Sequence, residues 1–135
     1  MDLIDSVHIS SAGLGAQSQR LKVIAQNVAN AESVGTRAGQ EPYRRKTVSF
    51  KETLDKESGV PLVQAAKIGV DRSNFNKRYE PTNPEADKDG FVLYPNVNTM
   101  LEMVDMREAR RAYEANLNMI EASKSMYTDT LNLIK

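Results

Sequence analysis

Residues that commonly carry catalysis are sparse in this chain. His8 is the sole histidine, and a catalytic or metal-binding imidazole normally works with companions of its kind. Ser11 and Ser18 have no convincing general base, which disfavours a Ser/His/Asp triad. The absence of cysteine excludes thiol catalysis, disulfides, iron–sulfur clusters and cysteine-bound zinc. We therefore predict no enzyme activity, no catalytic residue and no cofactor.

An acidic run that ends at Gly90 invites comparison with a calcium-binding loop. With Gly90 at the sixth position of an EF-hand loop, Asp87 and Asp89 fall on the third and fifth positions. The first position is then Glu85, and the twelfth is Asn96 where a bidentate glutamate is required. A solvated hairpin turn explains the run better, and we predict no metal site.

The one basic cluster, Arg44, Arg45 and Lys46, is a candidate contact patch. Nucleic-acid or phospholipid binding is one interpretation of such a cluster. The whole chain has 18 basic and 18 acidic side chains, and this balance argues against a nucleic-acid-binding protein. A cluster of only three basic residues is better suited to one of two other roles. It could prevent a sheet edge from pairing with another strand, or it could contact an acidic surface on a neighbouring subunit. The acidic stretch 80–89 is a candidate for that surface.

The N-terminal part, residues 1–31, is predicted to be a coiled-coil helix. Apolar and small residues recur there in steps of three and four, and Ile24 widens the stripe that they form. Asp2 is placed to cap the first turn, whereas Gly13 and Gly15 weaken the helix interior. The stripe consists of Ile4, Val7, Ser11, Leu14, Ser18, Leu21, Ala25 and Val28.

The C-terminal part, residues 97–135, gives a stronger helical pattern, opened by a capping box at Thr99–Glu102. It carries two neighbouring stripes, the second about 100° round the helix from the first. The tyrosine–leucine stripe is Met103, Met106, Arg110, Tyr113, Leu117, Ile120, Lys124, Tyr127, Leu131 and Ile134. The alanine–methionine stripe is Ala112, Ala115, Met119, Ala122 and Met126. A single antiparallel partner needs only one stripe, so the second is available for other subunits.

The middle part, residues 32–96, holds all five prolines and has no sustained helical period. Strands are predicted at 45–50, 60–64, 67–71 and 91–94, with a turn at Asp89-Gly90. The fold predicted is mainly α with a small β-rich insert. A helix of about 57 Å is longer than a compact chain of this size is wide, so we expect an elongated coiled-coil hairpin of the two terminal helices.

The residues also resemble a known family. The stretch 11–31, which includes Ser-Ala-Gly-Leu-Gly-Ala-Gln and Ala-Gln-Asn-Val-Ala-Asn-Ala, resembles the opening motif of bacterial flagellar rod and hook proteins. The segments Tyr-Pro-Asn-Val-Asn at 94–98 and Arg-Ala-Tyr-Glu-Ala-Asn at 111–116 narrow the resemblance to the proximal rod protein of that family. Asn83, Phe91 and Ser33 depart from the usual family residues, but none lies in a stripe.

The resemblance implies a non-enzymatic subunit of the flagellar basal-body rod, the drive shaft that crosses the periplasm. Such subunits are exported through the flagellar type III apparatus without a cleaved signal peptide, which agrees with the acidic start of this chain. The implied partners are copies of itself, the rod proteins FlgB, FlgF and FlgG, and the adaptor FliE. A cytosolic coiled-coil adaptor or chaperone is the alternative.

The resemblance also assigns the interfaces. The two terminal helices would pair with each other. The N-terminal helix would use Leu14, Leu21, Ile24 and Val28, and the C-terminal helix would use Tyr113, Leu117, Ile120, Tyr127 and Leu131. Ala112, Met119 and Met126 are expected to pack between subunits, because small residues let helices approach closely. Asn27 and Asn30 are expected to cap the first helix or turn the chain into the middle part.

Overall fold

A computed structural model describes residues 3–37, 39–56 and 58–133. Two long helices, α1 (Leu3–Ala29) and α2 (Thr99–Leu133), flank a β insert. The strands of the insert are β1 (Lys46–Leu54), β2 (Pro61–Val70), β3 (Asn76–Tyr79) and β4 (Phe91–Tyr94). The mainly α architecture with a small β insert is confirmed. Asp2 and Ile134, which the predicted helices included, lie outside the described residues.

The insert contains two two-stranded sheets, β1 with β2 and β3 with β4. Strands β3 and β4 are antiparallel, with Asn76 opposite Tyr94 and Tyr79 opposite Phe91. The predicted β4 and the turn before it are confirmed, and Gly90 takes the positive φ of 83° that a glycine adopts without strain. The two segments predicted at 60–64 and 67–71 form one strand, β2. Strand β3 was not predicted because its four exposed residues show no apolar alternation.

The start of α2 differs from the capping box that the sequence suggested. Asn98, and not Thr99, is the N-cap, since its Oδ1 accepts hydrogen bonds from the backbone N–H groups of Met100 and Leu101. Glu102 does not turn back to the cap, because its carboxylate accepts hydrogen bonds from Arg45 and Asn27 instead.

The chain divides into two compact units, each assembled from separate stretches of sequence. Unit 1 comprises Met1–Leu21, Val48–Lys67 and Arg107–Lys135, and unit 2 comprises Lys22–Thr47 and Ile68–Met106. Both helices therefore contribute to both units.

Unit 2 has a core of branched apolar side chains. Val92 is 1% exposed, and Val23, Ile24 and Val97 are also buried. At one end of the β3–β4 pair, the rings of Tyr79 and Phe91 lie edge to face with centroids 5.3 Å apart. Cross-strand aromatic pairs of this kind stabilise short antiparallel sheets.

Unit 1 buries small residues instead. Its buried side chains among the described residues are Ser10, Ala16, Ala109 and Ser123. Ser6 and Ser123 lie with their Oγ atoms 3.0 Å apart, and a Cβ on Gly13 would lie 2.9 Å from the side-chain amide of Asn116. These contacts show that α1 and α2 approach each other closely within unit 1.

Candidate assembly surfaces

A buried asparagine organises the end of α1 in unit 2. Asn27 is 1% exposed, and its Nδ2 donates to the carbonyl of Lys46 and to Oε2 of Glu102, at 2.9 and 3.0 Å. Its Oδ1 accepts from the backbone N–H of Lys46 and from the hydroxyl of Tyr43, at 2.8 and 2.9 Å. The amide thus uses both donor hydrogens and both acceptor positions, which removes the penalty for burying it.

The carboxylate of Glu102, also 1% exposed, is held from a second side by Arg45. The Arg45 Nε donates to Oε1 of Glu102 at 2.6 Å, and the guanidinium lies 3.8 Å from carboxylate oxygens of Asp71 and Asp105. The backbone N–H of Arg45 donates to Asn96 Oδ1 at 2.8 Å. A buried carboxylate is tolerated only when paired and hydrogen-bonded in this manner.

Two acidic groups around this cluster have shifted pKa values. Burial, and then the charge of Glu102, raise the pKa of the Tyr43 phenol. Hydrogen bonds from Ser73, first from its backbone N–H, lower the pKa of Asp71, with the charges of Arg45 and Arg44 acting in the same direction. Tyr43 therefore stays a neutral donor to Asn27, and Asp71 stays ionised beside Arg45.

The predicted basic contact patch lies in unit 2, and its three residues have partners there. Arg45 is engaged by Glu102, as described above. Arg44 pairs with Glu41 and places its guanidinium 4.2 Å from the ring centroid of Phe75, while Lys46 Nζ donates to Gln26 at 3.2 Å. The cluster therefore has a structural role within the chain, and its contact with a neighbouring subunit stays a prediction.

The predicted helix-interface residues fall into two groups by exposure. On α1, Ile24 is buried in unit 2, and Leu14, Leu21 and Val28 are half-buried. On α2, Ile120 and Ala112 are half-buried, whereas most large side chains of both stripes are exposed. The exposed ones are Tyr113, Leu117, Met119, Met126, Tyr127 and Leu131, with exposed fractions from 36% to 52%.

In unit 1, Asn116 and Ser123 of α2 meet α1, and with Ala109 they form a row whose members each lie four residues before a member of the tyrosine–leucine stripe. We call this the small-residue face. These residues are seven apart, as are Ser6 and Gly13 on α1, and Ala109 is fully buried. Ile120 and Tyr127 of the tyrosine–leucine stripe also lie beside the start of α1, in a groove that they share with Leu3 and Ile4, so the expected pairing through that stripe stays a prediction. Leu117 and Leu131, also in that stripe, are exposed.

An open apolar groove of about 340 Å³ lies in unit 1, at the start of α1 and the C-terminal part of α2. His8 lines it, together with Tyr127 and Ile120. The histidine stands among apolar neighbours rather than among other metal ligands. Within the described part of the chain, no cluster of three histidine or carboxylate side chains is placed to hold a metal ion.

Sequence reasoning missed the Asn27–Glu102 pair. Asn30 does what was expected at the end of α1, since its side chain donates to the carbonyl of Gln26 and accepts from Ser33. Asn27 instead faces the interior of unit 2. The signal available in the sequence was its position between the apolar residues Ile24 and Val28, where a polar residue needs a partner.

Two family models match the terminal parts of the chain. The model described as "Flagella basal body rod protein" matches residues 8–35, which cover most of α1. The model described as "Flagellar basal body rod FlgEFG protein C-terminal" matches residues 88–133, which include β4 and α2. None of the described helices is long and apolar enough to cross a membrane.

Several curated proteins are similar over nearly their whole length. The flagellar basal-body rod protein FlgC of Agrobacterium fabrum is 49% identical over 127 residues, covering 94% of this chain and 91% of the relative. The FlgC protein of Salmonella typhimurium is 40% identical over 133 residues, covering 98% of each chain. That of Bacillus subtilis is 36% identical over 152 residues and covers both chains completely.

The two terminal helices, the β insert between them and both family models define a structural protein of the bacterial flagellar basal-body rod. The relatives narrow this class further. The chain belongs to the FlgC family of flagellar basal-body rod proteins. The alternative of a cytosolic adaptor or chaperone is therefore set aside.

Proposed function

We propose that this chain is a proximal-rod subunit that assembles through its terminal helices and transmits torque across the periplasm. The observation that carries the proposal is the outer surface of α2, where Tyr113, Leu117 and Tyr127 stay exposed in the single chain. Contiguous apolar residues at helical spacing mark interaction surfaces in proteins that do not cross a membrane. The apolar groove at His8 adds a second surface that an apolar side chain of a neighbour would fill.

We further propose that α1 and α2 pair as a coiled-coil hairpin. Three contacts in unit 1 support this pairing. Ser6 meets Ser123, Gly13 meets Asn116, and Arg20 lies 3.7 Å from Glu108. The α1 partners follow one another at seven-residue steps, which is the repeat of a coiled coil.

The partners proposed are copies of this chain, the rod proteins FlgB, FlgF and FlgG, and the adaptor FliE. The family model described as FlgEFG C-terminal extends over α2, which supports FlgF and FlgG among these partners. In a rod built from such helices, each interface joins two different surfaces, and the array grows helically instead of closing. The exposed Met119 and Met126, with Ala112, are the proposed inter-subunit stripe. The proposed basic contact is formed by Arg44, Arg45 and Lys46.

The proposed route to the rod is export of the unfolded chain through the flagellar type III apparatus, without a cleaved signal peptide. Small buried side chains in unit 1 suit this route, since a weakly stabilised unit is easily kept unfolded. Fractionation tests the location. We expect the chain in purified basal bodies at its full encoded mass, whereas an exclusively cytosolic pool would contradict the proposal.

A charge on the outer surface of α2 tests the assembly mechanism. Leu117→Asp places a carboxylate on the tyrosine–leucine stripe, where subunit packing would bury it without a partner. We expect loss of motility in a swimming assay while the protein is still made and exported. Asn118→Asp introduces the same charge one residue away, at an exposed polar position, and is the matched control. Normal motility with Leu117→Asp would refute assembly through this stripe.

A further inference from the structure

The small-residue face of α2 repeats with little change along the helix. Ala109, Asn116, Ser123 and Thr130 follow one another at seven-residue steps. In unit 1, Asn116 meets Gly13 and Ser123 meets Ser6. A seven-residue slide of α2 would bring Ser123 to Gly13 and Thr130 to Ser6. Ser123 and Thr130 are small and polar, like the Asn116 and Ser123 whose places they would take. The contacts within unit 1 should therefore have similar energies in the two registers.

Asn27 behaves differently, although it continues the same seven-residue series on α1. In unit 2 its Nδ2 donates to the Glu102 carboxylate at 3.0 Å, and both residues are 1% exposed. The same slide would move Glu102 about 10 Å along the helix axis away from Asn27, so its carboxylate could no longer accept from the amide. The buried amide hydrogen would lose its acceptor and the buried carboxylate would lose one of its donors.

We propose that the Asn27–Glu102 pair selects the register in which α1 and α2 pair. Lys46 fixes the orientation of the Asn27 amide through its backbone N–H and carbonyl, and Arg45 holds the Glu102 carboxylate at 2.6 Å. Buried polar residues at single positions fix register in helical coiled coils by the same penalty against mispairing. The inference rests on the proposed pairing of α1 and α2, but it does not depend on the proposed assembly of subunits, because the register is a property of one chain.

Disulfide reporters measure the register directly, because the natural chain has no cysteine. The native register is reported by Ser6→Cys with Ser123→Cys, whose parent Oγ atoms lie 3.0 Å apart. The shifted register is reported by Ser6→Cys with Thr130→Cys. The equilibrium fraction of intramolecular disulfide in a glutathione buffer gives an effective concentration for each pair. Their ratio in the full monomeric chain, divided by the same ratio in concentrated urea, gives the register preference of the chains in which α1 and α2 pair.

We expect Asn27→Leu to lower this ratio by about tenfold or more. Leucine has no polar group that the shifted register would leave buried without a partner, so the free-energy penalty against that register becomes smaller. Asn27→Asp keeps the acceptor oxygens for Tyr43 and Lys46 but loses the donor to Glu102, and it should lower the ratio as well. Asn30→Ala is the matched control, because the Asn30 side chain bonds only to nearby residues, and its ratio should stay unchanged.

Two results would overturn the inference. One is an unchanged ratio in both Asn27 variants. The other is a ratio that falls only in variants that have also lost the NMR signals of the β3–β4 sheet, since Asn27 would then serve folding of unit 2 and not the choice of register. A lowered ratio with those signals retained, together with an unaffected Asn30→Ala chain, supports it.

Discussion

Units 1 and 2 are stabilised in opposite ways. Unit 2 buries branched side chains such as Val23, Ile24 and Val92, and it surrounds them with a satisfied polar cluster. Unit 1 buries alanine and serine, while Phe50, Leu117 and other large apolar residues remain exposed. Burial of small side chains removes little apolar area from water, at about 25 cal/mol per Å², against a backbone ordering cost of about 1–2 kcal/mol per residue. We therefore expect unit 2 to be stable in the isolated chain, and unit 1 to be stabilised by contacts with other subunits.

Amide hydrogen exchange on the dilute monomer should show the largest contrast. We expect unit 2 amides, for example in β4, to exchange at least about a hundredfold more slowly than those of α2 in unit 1. Circular dichroism should accordingly give much less helix than the 27 residues of α1 and 35 of α2 would produce. Full helix content at micromolar concentration, in a chain shown to be monomeric by sedimentation, would contradict the comparison.

Removal of one ion-paired carboxylate from each unit should show the next largest difference between the two units. Glu102→Ala removes the acceptor of one buried Asn27 amide hydrogen and the nearest carboxylate of Arg45, so we expect a loss of about 2–3 kcal/mol in the free energy of unfolding. Glu108→Ala removes the unit 1 pair with Arg20, whose carboxylate is 67% exposed, and should cost less than about 1 kcal/mol. Urea titration followed by the NMR signals of β4 measures both. Equal losses would remove the distinction between the units.

Alanine substitutions at Gly13 and Gly15 of α1 should have different effects on stability. Nothing lies within 4 Å of a Cβ at Gly15, so Gly15→Ala should stabilise the helix by about 0.5–1 kcal/mol. Gly13→Ala gains the same backbone term but pushes against the Asn116 amide, which donates to the carbonyl of Ala112. Urea unfolding of the chain linked by Ser6→Cys and Ser123→Cys measures the change.

A double variant separates the backbone stabilisation by Gly13→Ala from the clash of the new Cβ with Asn116. Combining Gly13→Ala with Asn116→Ala removes the clash, so the change due to Gly13→Ala should then approach the gain seen at Gly15. If Gly13→Ala alone stabilises as much as Gly15→Ala, the close approach of the helices in unit 1 is not maintained in solution.

The sequence predicts local features of this fold well and pairing poorly. The spacing of apolar residues predicts the helices α1 and α2, and turn residues predict the start of strand β4. Both signals depend only on neighbours along the chain. The contacts of the small-residue face with α1 do not follow from such signals, because they depend on how closely Gly13 lets the helices approach. The Asn27 cluster is equally hidden, since its partners Lys46 and Glu102 are 19 and 75 residues away.

Protonation of Asp71, in unit 2, should produce the smallest effect. Because hydrogen bonds from Ser73 lower the pKa of Asp71, this carboxylate stabilises the fold above the ordinary aspartate pKa of about 3.9. The contribution disappears as the pH falls through the lowered pKa. Asp71 is about one-third exposed, with a side-chain accessibility of 32%, so the contribution should stay below about 1 kcal/mol.

Ser73→Ala tests the source of that stabilisation. The variant removes the hydroxyl donor but keeps the backbone N–H that donates to Asp71 Oδ1 at 2.9 Å. The pKa of Asp71, followed by NMR titration, should therefore rise only part of the way towards its ordinary value. Ser49→Ala is the control, because that hydroxyl donates to the Lys67 carbonyl in unit 1 and should leave the pKa unchanged. A full return to the ordinary value would mean that the backbone turn around Asp71 depends on the serine hydroxyl, and that unit 2 is less self-sufficient than its core indicates.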